Sequence, residues 1–399
     1  MTITESRQTD LSRMLDAVAA IAPTISAGVE SAEANRRLDD EVFRAIVDAG
    51  LTAMPCPKLL GGLEMHALDL IKVWEAIARL DPAAAWNLLM TSTMASTASA
   101  FLTQEGVNAV FSAGPTTMAG SFHPPPALAT RTEGGWRLDG QSGFFSGAHH
   151  ASWVLVAAIE VVNGEPVVNA DTGQPNAFGA IVPRGDVTLV DTWHTMGMRG
   201  TGSVDIKLKG VFVPTHLTFQ VAPLTNPSPA FTGPLPRMFP LILVLGESSV
   251  SVGIAAESVA RLQRLADEKT ASFTATALRD RELIQYLAGK AKSRVDAARA
   301  YLHQMCAAAY DEASEGHLTM DTKADLLLAV TYSTELCAEA VRFVHEAAGA
   351  TGVRNEAGLE RLFRDAHTLT QHANHSSSRY ATVGKLLFGH DNDWLALSF

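Results

Sequence analysis

Ser146 lies in the run Gly140-Gln141-Ser142-Gly143-Phe144-Phe145-Ser146-Gly147-Ala148-His149-His150-Ala151-Ser152-Trp153, dense in glycine, aromatic and hydroxyl side chains. A serine hydroxyl both donates and accepts, so it can meet either kind of hydrogen-bonding partner. The same serine also reads as an ordinary turn residue. Far along the chain, Arg361-Leu362-Phe363-Arg364-Asp365-Ala366-His367-Thr368-Leu369-Thr370-Gln371-His372-Ala373 is followed by His375. Imidazole titrates near neutrality and suits proton transfer or hydrogen bonding to reacting oxygen. As metal ligands these three histidines are poorly arranged. Spacings of five and three do not share one helical face, and no cysteine or carboxylate completes an obvious site, so no metal is expected. Trp193-His194-Thr195-Met196-Gly197-Met198-Arg199-Gly200-Thr201-Gly202-Ser203 is a third candidate, a glycine loop feeding the alternating run Val204 to Pro214. A plain turn before an edge-like strand fits it equally. No Gly-x-Gly-x-x-Gly follows a strand, so no nicotinamide dinucleotide site is expected.

Such residues need a scaffold, and 399 residues at 47% hydrophobic can bury a large core in two or three domains. The net charge of −11 has no basic run within it, which makes nucleic acid and anionic membranes poor partners. No apolar stretch reads as a membrane span; Phe239 to Leu245 is short and followed by Gly246 and Glu247. Met1 to Ser6 lacks the charged and apolar regions of a signal peptide. Cys56, Cys306 and Cys337 are widely spaced in apolar surroundings and read as reduced packing residues. A cytoplasmic protein is expected.

Residues 1–115 read as an α-helical domain. Asp39 caps a helix that Gly50 ends, Gly61-Gly62 closes the loop after Pro55 and Pro57, and Leu68 to Leu80 and Ala83 to Leu102 give two more helices. Residues 116–236 change texture. Pro and Gly punctuate short alternating runs at Trp136 to Leu138, Trp153 to Ile159, Ala177 to Val182, Val187 to Val190 and Val204 to Val213, which predicts a β-barrel or sandwich. Residues 237–399 return to helical spacing: Leu241 to Ala266, a stripe from Leu278 to Met305, Leu326 to Ala348 ended by Gly349, and Ser378 to Leu387. Together they predict a four-helix bundle.

Helices, then strands, then a bundle, with Gly50-Leu51-Thr52-Ala53-Met54-Pro55-Cys56-Pro57, Gly61-Gly62-Leu63-Glu64 and the Trp193 loop, resembles the acyl-CoA dehydrogenase superfamily across almost the whole chain. The Phe-Ser-Gly spelling at Phe145-Ser146-Gly147, followed by His-His and Trp, resembles its two-component flavin monooxygenase branch. That branch includes the oxygenase components acting on 4-hydroxyphenylacetate, secosteroids, indoles and dibenzothiophene. The resemblance implies that Phe144 packs on the flavin and Ser146 hydrogen-bonds near its N5. It places Gly120 and Ser121 along the pyrimidine edge, and implies that Gly349 and Thr351 approach a neighbouring subunit's cofactor. It puts His372 beside the flavin as the catalytic imidazole. Ala373 stands where many dehydrogenases carry their catalytic glutamate, although some place it on another helix. The Arg-x-x-Phe-Gly clamp on FAD pyrophosphate is missing around Phe273; Lys269, Arg279 and Arg281 substitute only in part. His123 has no counterpart and reads as a solvated loop residue.

The resemblance implies reduced FMN or FAD from a separate reductase, O2 as co-substrate, oxygen transfer through a hydroperoxyflavin to a small aromatic compound, and a homotetramer. Trp86 and Met90 are candidate substrate-binding residues, with Leu88, Leu89, Phe231 and Phe239 nearby; core packing explains these side chains as well. An acyl-CoA dehydrogenase with a displaced base and a non-catalytic ligand-binding member are the alternatives.

Overall fold

The structure, a computed structural model, describes residues 3–170, 173–220, 228–270 and 275–398. Five helices come first: α1 (Ile3–Asn35), α2 (Asp40–Asp48), α3 (Ala67–Ala78), α4 (Pro82–Phe101) and α5 (Gln104–Phe111). Every residue of α4 is buried, so this helix has no polar face and forms the centre of the first region. Proline at its first position needs no N–H partner, and Asp81 caps it by accepting from Ala84 N–H at 3.2 Å. Asp39 occupies the cap position of α2, but its carboxylate makes no cap bond. It accepts instead from the Ser31 hydroxyl at 2.6 Å, tying α2 to the end of α1.

The strands are β1 (Met118–Ser121), β2 (Ala127–Thr132), β3 (Gly135–Phe145), β4 (Trp153–Val162), β5 (Glu165–Pro166), β6 (Ala177–Pro183), β7 (Thr188–Val190), β8 (Val204–Pro214) and β9 (Thr218–Phe219). Among the described residues they form one mixed sheet in the order β7-β8-β3-β2-β4-β6-β9, with β1 and β5 pairing to β4. The run Trp136 to Leu138 proves to be part of a strand that continues to Phe145. β1, β2, β5 and β9 are additions to the runs expected; each has six residues or fewer, too few to stand out as an alternating run. The pairing of β3 with β8 loses register between Ser142 and Phe145. There Phe144 takes φ +67° and turns outward while Phe145 stays buried. This irregularity in the ladder aims one aromatic ring away from the sheet.

The last region contains α6 (Leu241–Glu268), α7 (Glu282–Ser314), α8 (Met320–Ala348), α9 (Leu359–Leu369) and α10 (Ser378–Leu387). The predicted stripe is observed: Ile284, Leu287, Ala291, Val295, Ala298 and Leu302 are all buried along α7. α6 is long and apolar enough to cross a membrane by length and composition, contrary to the expectation of no such stretch, and 94% of its apolar window is buried within the fold. It is a core helix. Cys56, Cys306 and Cys337 are buried and unbridged, and burial raises the Cys56 thiol to about 12.

Candidate active site

Ser146 follows β3 directly, and its hydroxyl is buried. It accepts from the Trp86 indole N–H at 3.0 Å and shares a 2.7 Å hydrogen bond with the Ser203 hydroxyl. Ser203 shares another, at 2.7 Å, with Thr201, whose hydroxyl donates to the Met198 carbonyl at 2.8 Å. The hydroxyls of the glycine loop thus brace Ser146 from one side and α4 braces it from the other. Trp86 and Met90 are both buried, and the Trp86 N–H is engaged by Ser146.

Beside this chain lies an uncovered apolar surface. Phe144 is 49% exposed, Met196 55% and Phe122 39%. The Phe144 ring meets His123 at 4.6 Å and the Trp193 edge at 6.0 Å. His123 is therefore part of the site surface. Its backbone N–H donates to Ser121 Oγ at 3.1 Å, so Ser121 at the end of β1 holds that loop. Gly120 is packed so tightly that a Cβ there would lie 2.9 Å from Met94 Sδ.

The opposite wall comes from the bundle. His372 lies in the turn after α9, its ring 5.5 Å from Trp86 in an edge-on arrangement. Its Nδ1 is 3.5 Å from Glu247 Oε2 on α6, and His375 Nε2 lies 2.9 Å from the same oxygen. Asn374 Nδ2 donates to both Glu247 oxygens, at 3.2 and 3.0 Å. Burial by itself would raise the Glu247 pKa. His372, His375 and Asn374 more than reverse that and hold it at about 2. The His372 pKa falls below the ordinary imidazole value because its surroundings desolvate it, Glu247 pulling the other way.

Glu247 is the carboxylate whose absence made a metal reading of the histidines unattractive, and it was not anticipated. Ligand-type atoms of Glu247, His372 and His375 lie within 4.8 Å of one another. The Asn374 amide aims N–H groups at both carboxylate oxygens, where a cation would repel them. The cluster sets two imidazoles against one carboxylate that Asn374 holds in place. His367 stands apart, its Nδ1 2.8 Å from the Phe363 carbonyl. A signal for Glu247 was present: a lone acidic residue inside the apolar run Leu241 to Val252 needs a buried partner.

The conspicuous glycine loop turns out to be a joint. Met198 N–H donates to Asp365 Oδ1 at 2.5 Å, and the Trp193 indole donates to the Met198 carbonyl at 3.0 Å. A side chain at Gly197 would strike the Arg364 carbonyl, with its Cβ at 2.4 Å. Arg364 pairs with Glu33 of α1 at 2.7 Å, and Arg361 pairs with Asp81 at 2.8 Å. Helix α9 is thereby clamped to the first region and to the loop that supports Ser146. Burial raises the Asp365 pKa to about 7 despite the neighbouring Arg361 guanidinium.

Gly349 and Thr351 are in another place. They form a short turn after α8, and the Lys269 ammonium donates to Thr351 Oγ1. Arg279 pairs with Asp267 at 3.5 Å. Phe273 lies outside the described residues.

Residues 9–106 match the acyl-CoA dehydrogenase N-terminal domain, and residues 245–377 match the acyl-CoA dehydrogenase C-terminal domain. The chain belongs to the acyl-CoA dehydrogenase family. Within that family it is similar to the indole-3-acetate monooxygenase of Pseudomonas putida, 29% identical over 89% of this chain and 88% of the relative. It is 27% identical to a flavin-dependent monooxygenase oxygenase subunit, HsaA, of Mycobacterium tuberculosis, over 97% and 98%. Among solved structures, XiaF from Streptomyces in complex with FADH2 and glycerol superposes with a TM-score of 0.88 at 25% identity, over 98% and 99%. The flavin monooxygenase branch is the part of the family these likenesses share. The order of helices, sheet and helical bundle is the family's fold.

Proposed function

We propose that this protein is the oxygenase component of a two-component flavin-dependent monooxygenase, working in the cytoplasm on a small aromatic or heteroaromatic compound. The observation that carries this reading is the pairing of walls: a buried hydroxyl, Ser146, and an imidazole, His372, both braced by Trp86. The exposed Phe144, Phe122 and Met196 surface suits a flat ring system. A flavin fits there: Phe144 would pack on it, and Ser146 and the Gly120–Ser121 backbone would hold its polar edge. When bound in reduced form, the flavin supplies the electrons that activate O2.

The chain's own residues do the rest. Ser146, held by Trp86 and Ser203, presents a fixed hydroxyl rather than a freely rotating one. His372 holds or moves a proton on the bundle side of the cleft. Leu88 and Leu89 are fully buried core residues; Trp86, beside Ser146 and His372, and Met90, one turn further along α4, are the proposed substrate contacts.

Glu247 bears on the dehydrogenase alternative, because it is a glutamate on another helix near the site. Its side chain is only 3% exposed, Asn374 donates to both its oxygens, two imidazoles stand beside them, and a pKa near 2 makes it a weak base. It does not offer a free carboxylate to a thioester.

The missing FAD clamp suits a flavin that is exchanged, so a separate reductase supplies it as reduced FMN or FAD. Gly349 and Thr351 would meet the cofactor of another subunit, in a homotetramer that also covers Leu283, Tyr286, Leu387 and Phe388, all more than half exposed in the single chain. The test is to supply reduced FMN or FAD and O2 with a panel of phenols and indoles, measuring oxygenated product and hydrogen peroxide. The reading predicts product from at least one of them. Tightly bound FAD that bleaches anaerobically with an acyl-CoA would sink it.

A further inference from the structure

Glu247 is a charged group in the core of α6, 3% exposed, and nothing in the family resemblance requires it. A buried carboxylate is costly unless its surroundings keep it occupied. Its surroundings do so asymmetrically. His375, fully buried, contacts Glu247 through Nε2, while its Nδ1 lies 3.3 Å from Thr334 Oγ1 on α8. Asn374 spans both oxygens. His372 approaches the same Oε2 through Nδ1 at 3.5 Å, where Nδ1 also accepts from the Asn374 backbone N–H at 3.4 Å, and 36% of its side chain remains open. The Nδ1 edge thus faces the bundle, and Nε2 lies on the far edge of the ring.

We propose that Glu247 is a positioning residue for His372: it fixes the Nδ1 edge of the ring against the bundle and supplies the counter-charge that lets His372 carry a second proton. His375 and Asn374 hold the carboxylate in place for this task. The proposal rests on His372 being the imidazole used in oxygen transfer, but the physical claim concerns the chain alone. Titratable groups facing His372 are Glu247 from α6, His375 from its own turn and His123 from the loop after β1; Trp86 of α4 is the remaining ring neighbour. Of these only Glu247 favours the charged imidazole. His375 and His123 oppose it.

The test uses the full-length, flavin-free protein. Slow hydrogen–deuterium exchange at imidazole Cε1, read residue by residue by mass spectrometry, gives the titration midpoint of each histidine. Glu247→Gln keeps the size and should lower the His372 midpoint by roughly one unit or more, as expected for losing an opposite charge within hydrogen-bonding range. His375→Asn, which leaves Glu247 in place and removes its competitor, should raise that midpoint. An unmoved His372 in folded Glu247→Gln overturns the proposal. If that variant does not fold, a His372 midpoint that stays put or falls in His375→Asn overturns it. In the active enzyme, the pH dependence of product against peroxide should shift in the same directions. Failure to find any oxygenated product would count against the proposed function and leave the exchange result to decide the role of Glu247.

Discussion

The two walls of the cleft are built from different chemistry. On the Ser146 side, Trp86, Ser203 and Thr201 form a chain of neutral donors and acceptors with no titratable member. On the His372 side, three ionisable groups, His372, His375 and Glu247, share one buried oxygen. Only the second wall carries groups that gain or lose a proton, with the His372 imidazole drawn below its ordinary value by burial. The first wall therefore fixes geometry at every pH, and the second sets when a proton is present. The Trp86 ring touches both, which makes it the point where the two walls are held at one separation.

That contrast is broken most sharply by removing one wall's key group at a time. His372→Ala should lower oxygenated product by on the order of 100-fold, with hydrogen peroxide rising in its place, while the protein still folds with a lowered melting temperature because buried Glu247 loses a neighbour. The limb of the pH profile that belongs to His372 should vanish with it. Because enclosure draws its pKa below the ordinary value, that limb lies on the acid side of neutrality. Ser146→Ala should cost about tenfold in product formation and leave the indole N–H of Trp86 without an acceptor, at about 1–3 kcal/mol of stability. Its pH profile should keep the shape of the wild type. Matching pH profiles for the two variants would show that the walls are not divided in this way.

The sequence made the first wall visible and hid half of the second. Ser146 sits in a local motif whose neighbours in the chain are also its neighbours in space, and His372 follows a recognisable Arg-Asp-Ala run. Glu247 is 125 positions from His372, and only the packing of α6 on the turn after α9 joins them. Its one trace was a charge in an apolar helix, read at first as the end of a stretch rather than as a buried group needing partners. The glycine loop was legible as important but not for the right reason: Met198 to Asp365 is a tertiary bond that no spacing announces. His123 is an exposed loop residue, as its position suggests, and the outward turn of Phe144 also brings a ring against it. The order of helices and strands, by contrast, follows from periodicity, and the elements not picked out were α1, α5, α9 and the short strands.

Trp86→Phe sharpens the comparison further. Phenylalanine keeps an aromatic edge toward His372 and removes only the donor to Ser146, worth about 1 kcal/mol, so a roughly fivefold loss in the ratio of product to peroxide is expected. Since the effect passes through the neutral wall, it should be the same at pH 6 and pH 8. A loss seen at one pH alone would mean that Trp86 acts chiefly on the imidazole.

The smallest expected effect lies in the joint that carries both walls and is read in stability rather than turnover. Asp365 is buried, with its carboxyl raised to about 7 from an ordinary 3.8. Between those values the folded protein binds up to one proton more than the unfolded chain. The stabilisation is complete below the unfolded value and is lost as the pH rises through about 7. His149 works in the opposite sense: burial lowers it to about 4, so its contribution is lost as pH falls from 6.5 toward 4. The total curve mixes the two, and a difference measurement separates them. Asp365→Asn keeps an oxygen for Met198 N–H and cannot titrate. Relative to wild type, its melting temperature should improve from pH 4 to about pH 7 and level off above that, because only the wild type must ionise a buried acid over that range. A constant difference across the range would mean that Arg361 already holds Asp365 charged, and that the clamp between the glycine loop and α9 is a permanent ion pair.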